Sequence, residues 1–120
     1  MSNKIWIVDD DEAILDVIQI VLDQEGLESE TIQDAQVIYE RLKTERPQLI
    51  LLDVLMSGID GRDVSQHIKK DKKTTDIPII IMTADIRADD KAKEAMADDF
   101  IRKPFDIDEL VALVKKHLKS

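Results

Sequence analysis

Asp9 and Asp10 close the run Ile5-Trp-Ile-Val8, Asp53 closes Leu49-Ile-Leu-Leu52, Thr83 closes Ile77-Pro-Ile-Ile-Ile-Met82, and Lys103 follows Phe100-Ile-Arg102. A short apolar run bounded by turn-forming residues predicts a strand buried on both faces, as in a parallel sheet. If these strands are parallel, their terminal residues gather on the carboxyl edge, where open α/β sheets bind ligands. Singly, each has a plainer reading: Asp53, just before Gly58-Ile-Asp-Gly61, is also what ends a strand and starts a turn. Coincidence is a poor explanation for so many reactive strand ends at once. Three crowded carboxylates raise one another's pKa values unless a cation joins them. Hard carboxylate oxygens with open water positions suit Mg²⁺, which prefers to share a phosphate ligand. Lys103 then supplies a point charge, and Thr83 a hydroxyl donor, for the oxygens of a transferring phosphoryl group. Asp53 is left as the nucleophile that forms an aspartyl phosphate.

The elements that must position these residues follow a β-α pattern repeated five times, which predicts right-handed crossovers with helices on both faces of the sheet. The expected fold is α/β and flavodoxin-like, a doubly wound five-stranded parallel sheet in strand order 2-1-3-4-5 with five helices. Ile14, Val17, Ile18, Val21 and Leu22 predict the inner face of a first helix stopped by Gly26, which turns Ile20 outward beside Asp16 and Asp23. Residues 27–32 predict a wetter edge strand. Asp34 predicts the cap of a second helix through Ala35, Ile38 and Leu42. Val64 and Ile68 mark a third helix, which runs out in Lys69-Lys-Asp-Lys-Lys73, read as a solvated end. Residues 88–97 predict a short helix packed only through Ala92, Ala95 and Met96. Asp106 and Glu109 form a capping pattern for a last helix, with Leu110, Leu113, Val114 and Leu118 as its stripe.

The length is that of one domain, taken as residues 1–120. A net charge of −9 disfavours direct binding to nucleic acid or anionic membrane. There is no cysteine, and hence no disulfide framework or thiolate metal site. The polar start Met1-Ser-Asn-Lys-Ile shows no signal or membrane-spanning run, so the expected location is cytoplasmic. His67 and His117 have no acidic partner in pattern and are not expected to carry phosphate. Trp6 is expected to pack in the core.

The chain resembles the receiver domains of two-component response regulators over essentially its whole length. The matching residues are Asp9-Asp10, Asp53 with Gly58 and Asp60-Gly61 behind it, Thr83-Ala84, and Lys103-Pro104-Phe105. The resemblance implies a phosphoacceptor domain rather than an enzyme acting on other substrates. Asp53 would take a phosphoryl group from a phosphohistidine on a sensor histidine kinase or histidine phosphotransfer protein. Mg²⁺ would be bound by Asp53, by Asp10 directly, by Asp9 through water, and by the backbone carbonyl of Leu55. Lys103 would pair with Asp53 and later with the phosphoryl oxygen, its bond to Pro104 being cis. Phe100 would be the aromatic switch that moves with Thr83. The fourth helix, fifth strand and fifth helix would form the output face for a downstream protein or a second copy, and Ile20 on the first helix would contact the phosphodonor. Ser57 stands where proline is frequent, Met96 where glycine is usual. Thr83 and Lys103 are 20 positions apart, roughly half a helical turn short of the family norm.

Three other readings compete. A Mg²⁺-dependent phosphohydrolase of the haloacid dehalogenase type wants a second acid two residues after its nucleophile, where Leu55 stands, and a cap that 120 residues do not provide. A nucleotide binder on the same topology wants glycine-rich phosphate loops, whereas Gly26, Gly58 and Gly61 form no cradle pattern. A degenerate receiver that only binds partners would lack one of the reactive positions, and all are filled.

Overall fold

Residues 4–56 and 58–118 are described by the computed structural model, so Ser57 lies outside the described residues. In chain order the elements are β1 (Ile5–Val8), α1 (Glu12–Gln24), β2 (Ser29–Ile32), α2 (Val37–Arg41), β3 (Leu49–Asp53), β4 (Leu55–Met56), β5 (Ile59–Asp60), α3 (Gly61–Lys70), β6 (Ile79–Thr83), α4 (Ala88–Ala95), β7 (Asp99–Arg102) and α5 (Ile107–His117). Five parallel strands form the sheet in the order β2-β1-β3-β6-β7. This is the doubly wound order expected from the sequence; β4 and β5 are a small antiparallel hairpin beside it.

The apolar runs explain the centre of the sheet. Every residue of β1, β3 and β6 is buried, as strands covered on both faces require. Alternation along each strand then divides the core. Ile5, Ile7, Leu49, Leu51, Ile80 and Met82 face α1 and α5 through Leu15, Ile18, Leu22, Leu110 and Val114. Trp6, Val8, Ile50, Leu52, Ile79 and Ile81 face α2, α3 and α4 through Ile38, Val64, Ile68, Ala92 and Ala95. Trp6 is core, as expected, with the Arg41 guanidinium 4.7 Å over its ring.

Four local expectations are corrected. On α1, Leu15 is buried and Val17 is 49% exposed; apolar residues so dense on one helix leave its phase ambiguous, and packing of Leu15, Ile18 and Leu22 into the core settles it. Ile20 is exposed, as expected. Asp34 accepts from the backbone of Gln36, forming a turn just ahead of a five-residue α2 that has no side-chain cap of its own. Met96 does not pack: it is 46% exposed and ends α4 in the left-handed region at φ 58°. The Lys69 side chain is only 8% exposed; its ammonium donates to the carbonyls of Thr75 (3.1 Å) and Ile77 (2.7 Å) and meets Asp98 at 2.6 Å. A buried stem with a fully partnered charge pins the end of α3 to the start of β6.

Candidate functional site

β1 and β3 are adjacent and in register, Val8 opposite Leu52, so their next residues emerge side by side at the carboxyl edge. Asp9 is buried and its Oδ1 accepts from the backbone N–H of Asp11 at 2.9 Å. Asp10 beside it is exposed. Asp11, the third acid of the run, turns away to cap α1 by accepting from Ala13 (3.0 Å) and Ile14 (3.4 Å). Asp53, the last residue of β3, is buried. Oxygens of Asp9, Asp10 and Asp53 lie within 4.8 Å of one another, a set able to hold a hard cation.

Lys103 arrives from the end of β7 on a cis bond to Pro104. Its Nζ donates to Asp9 Oδ2 at 2.8 Å and lies 3.2 Å from Asp53 Oδ1. It therefore bridges both acids, where the sequence suggested a pairing with Asp53 alone. Burial, and then the charge of Asp9, push the Asp53 carboxyl up to about 6 against the opposing pull of Lys103. Burial disfavours the Lys103 ammonium, but the Asp9 bond and the Asp53 charge outweigh it and raise its pKa. The site thus holds more negative charge than one lysine balances, and a divalent cation would relieve it.

β6 follows β3 in the sheet with Met82 opposite Asp53, so Thr83 stands one residue further out on the neighbouring strand. Thr83 is buried; its hydroxyl oxygen accepts from the Asp85 N–H at 3.0 Å, and its carbonyl accepts from the Lys103 N–H at 2.7 Å. Phe100 is half-buried on β7, opposite Ile81 and on the same sheet face as Thr83. It packs against the α3 and α4 side of the core, away from the acids. Ile20 is also remote, about 12 Å along α1 from its first residue at the usual rise.

Leu55 follows Val54, whose N–H donates to Met82 at 3.0 Å and whose carbonyl accepts from Gly61 at 2.7 Å. That brings the backbone at Leu55 into register with Asp60 and leaves the Leu55 side chain 77% exposed. Gly61 fits because a Cβ there would lie 2.1 Å from the Asp53 carbonyl oxygen. Gly58, at φ 73°, supplies the turn of the hairpin.

Three features escaped the sequence reading. The close approach of Gly61 to Asp53 was legible only as a turn residue. Arg62 pairs with Asp60 and with Glu94 on α4; the spacing of Asp60 and Arg62 at a helix start was the available signal. His117 does have an acidic partner, with Nε2 2.8 Å from Asp99 Oδ2. Burial opposes ionisation of Asp99, but the bonds from His117 and the Phe100 N–H hold its carboxyl below the usual range. His67 instead meets the Tyr39 ring edge-on at 4.4 Å.

Residues 5–115 match the family model described as the response regulator receiver domain. The phosphate regulon transcriptional regulatory protein PhoB of Pseudomonas aeruginosa is 38% identical over 99% of this chain and 53% of its own length. The DNA-binding dual master transcriptional regulator RpaA of Synechocystis is 36% identical over 97% of this chain and 49% of its own. The chain spans about half the length of the curated relatives it matches. Among solved structures, the signal receiver domain of a signal transduction histidine kinase from Syntrophus aciditrophicus superposes with a TM-score of 0.88 at 31% identity, over 98% of this chain and 90% of that one.

Proposed function

The chain belongs to the response regulator receiver domains, and from that premise we propose that it is the phosphoacceptor of a two-component or phosphorelay system, with Asp53 as the modified residue. The observation that carries this reading is the Lys103 ammonium bridging Asp9 and Asp53 within a cluster of three acids. The donor is a phosphohistidine on a sensor histidine kinase or histidine phosphotransfer protein. At neutral pH, a carboxyl pushed up to about 6 is mostly ionised, so Asp53 can attack. The new bond joins its carboxylate oxygen to phosphorus; the bond from phosphorus to the histidine nitrogen breaks, and its electron pair stays on the imidazole.

The hard oxygen set fits Mg²⁺, held by Asp9, Asp10, Asp53 and the backbone carbonyl of Leu55. When bound, Mg²⁺ would neutralise charge on the transferring oxygens. Lys103 keeps its grip on Asp9 while its ammonium turns from Asp53 to the phosphoryl group. The Thr83 hydroxyl, already an acceptor for Asp85, directs its proton at a phosphoryl oxygen. That draws in the end of β6, and Phe100 on β7 follows. The face formed by α4, β7 and α5 is then the output surface, read by a downstream protein or a second copy. Ile20, exposed on α1, is the apolar contact offered to the phosphodonor.

Residues 1–120 are taken as one cytoplasmic receiver unit, regulatory rather than catalytic toward other substrates. A net charge of −9 disfavours direct binding of this segment to nucleic acid. Among the described residues no helix is long and apolar enough to cross a membrane. Incubation with acetyl phosphate and Mg²⁺, beside a generic phosphomonoester, tests the reading against a phosphohydrolase. Stoichiometric labelling without phosphomonoester turnover is expected; steady turnover would replace this reading with the hydrolase.

A further inference from the structure

The hairpin that carries Leu55 is held by a side-chain clamp from the start of α3. Asp60 is the register partner of Leu55. Arg62, in the first turn of α3, grips the Asp60 carboxylate through Nε, at 3.0 and 3.1 Å, and through Nη2, at 2.6 Å. Its remaining nitrogen, Nη1, donates to Glu94 on α4. Gln66, four residues further along α3, donates to the backbone carbonyl of Glu94. The Arg62 bond holds the Asp60 carboxyl below its usual range despite partial burial. The bonds to Asp60 and Glu94 in turn raise the pKa of Arg62.

We propose that Arg62 is a positioning residue that couples the acidic site to α4, one edge of its guanidinium fixing the hairpin after Asp53 and the other holding Glu94. The inference rests on the phosphoacceptor reading, which assigns the Leu55 backbone to the cation. A guanidinium is a rigid planar fork, so its two edges cannot move independently. A shift of the hairpin when the site fills must either carry Glu94 with it or break that contact. α4 is well suited to respond, because its buried side chains are only Ala88, Ala92 and Ala95 and its N-terminus lacks a side-chain cap. This route leaves from the loop after β3 and is separate from the one through Thr83 and Phe100. An isolated surface ion pair would carry little. Here one arginine makes three bonds to Asp60, and its side chain is partly shielded from solvent.

The test compares the parent chain with Arg62→Met and Glu94→Met, which keep an unbranched side-chain stem and the helix propensity while removing the charge. Mg²⁺ affinity is read by calorimetry. Amide exchange over residues 88–95 is read with and without Mg²⁺ plus beryllofluoride, a mimic of the phosphoryl group. Glu94→Met should keep the parent Mg²⁺ affinity yet lose most of the ligand-induced change in α4. Arg62→Met should lose that change and also bind Mg²⁺ up to about tenfold more weakly, the low end of the outer-shell range, because Arg62 supports the Leu55 backbone only through Asp60. A parent-like α4 response in Glu94→Met, or parent-like Mg²⁺ affinity in Arg62→Met, overturns the coupling. If Arg62→Met does not fold by circular dichroism, Glu94→Met, altered at a half-exposed side chain, decides alone. A parent chain that takes up neither ligand overturns the phosphoacceptor reading and the coupling with it, whereas uptake without these differences overturns the coupling alone.

Discussion

The Lys103 ammonium is bonded to the Asp9 carboxylate, with 2.8 Å between Nζ and Oδ2. Its approach to Asp53 is looser, at 3.2 Å. Asp9 is therefore the anchor that keeps the lysine at the site whichever partner Asp53 takes. Removing the cation would leave two buried carboxylates facing each other. Lys103→Met should cost about 2 kcal/mol of stability at pH 7.5, somewhat less than breaking a fully buried pair because the lysine is partly exposed. Acid should restore part of this by protonating one carboxylate, and Mg²⁺ should restore part by replacing the charge. Urea unfolding at pH 7.5 and 5.5, with and without Mg²⁺, checks this; an unchanged midpoint would remove Lys103 as the structural counter-charge.

The raised pKa of Asp53 has a definite sign for stability. Its carboxyl sits near 6 in the folded chain against an ordinary 3.8, so between those values the folded state binds more protons than the unfolded one. The contribution of Asp53 to stability must therefore fall as pH rises from about 4 to about 6, with its full penalty remaining above that range. Asp53→Asn should then stabilise the metal-free protein at pH 7.5 by about 1–2 kcal/mol, allowing for screening at the site mouth. The gain should shrink below about pH 5. A destabilised Asp53→Asn at pH 7.5 would contradict the assignment of repulsion and burial at this carboxylate.

Gly61 meets the backbone of Asp53 so closely that an added Cβ would lie 2.1 Å from its carbonyl oxygen. That oxygen belongs to backbone and cannot swing aside. Gly61→Ala should cost about 2–3 kcal/mol through forced backbone movement. It should also slow phosphorylation and weaken Mg²⁺ binding together, because Asp53, assigned to both, is displaced. Thermal unfolding and labelling rate together check this, and a neutral Gly61→Ala would mean that α3 can move away freely.

At the far end of α4, Met96 adopts a conformation that costs a residue with a side chain roughly 1–2 kcal/mol and that glycine adopts without strain. Met96 is also nearly half exposed, so little packing is lost on truncation. Met96→Gly should stabilise the chain by about 0.5–1 kcal/mol after the added freedom of the unfolded state is counted. It should also slow amide exchange over residues 85–97, which in the parent should be the fastest among the helices and should slow with Mg²⁺ and beryllofluoride. Exchange in that segment equal to that of α1 and α5, and unmoved by either change, would contradict this.

The sheet and the acids could be read early because apolar runs of this kind admit few arrangements, and Asp9, Asp53, Thr83 and Lys103 close four of them. What could not be read depended on contacts made across the chain. Asp9 and Lys103 are 94 positions apart, and no local pattern says that the lysine prefers Asp9 to Asp53. Leu15 and Val17 are both apolar on a helix dense with such residues, so periodicity alone did not choose the buried one. Lys69 sits among lysines that are exposed and differs only because the start of β6 returns beneath it with open carbonyls. Asp99 and His117 lie on separate elements, and their pairing depends on how α5 packs beside β7.

Asp53, and no other group, is expected to accept phosphate. The direct measurement is the mass of the intact chain, followed by peptide mapping after borohydride trapping, following incubation with acetyl phosphate and Mg²⁺. One phosphoryl group on Asp53 is expected, lost in Asp53→Ala and in excess chelator, and strongly reduced in Lys103→Met. A label that persists in Asp53→Ala, or that maps to Asp9, Asp10 or a histidine, would contradict the account.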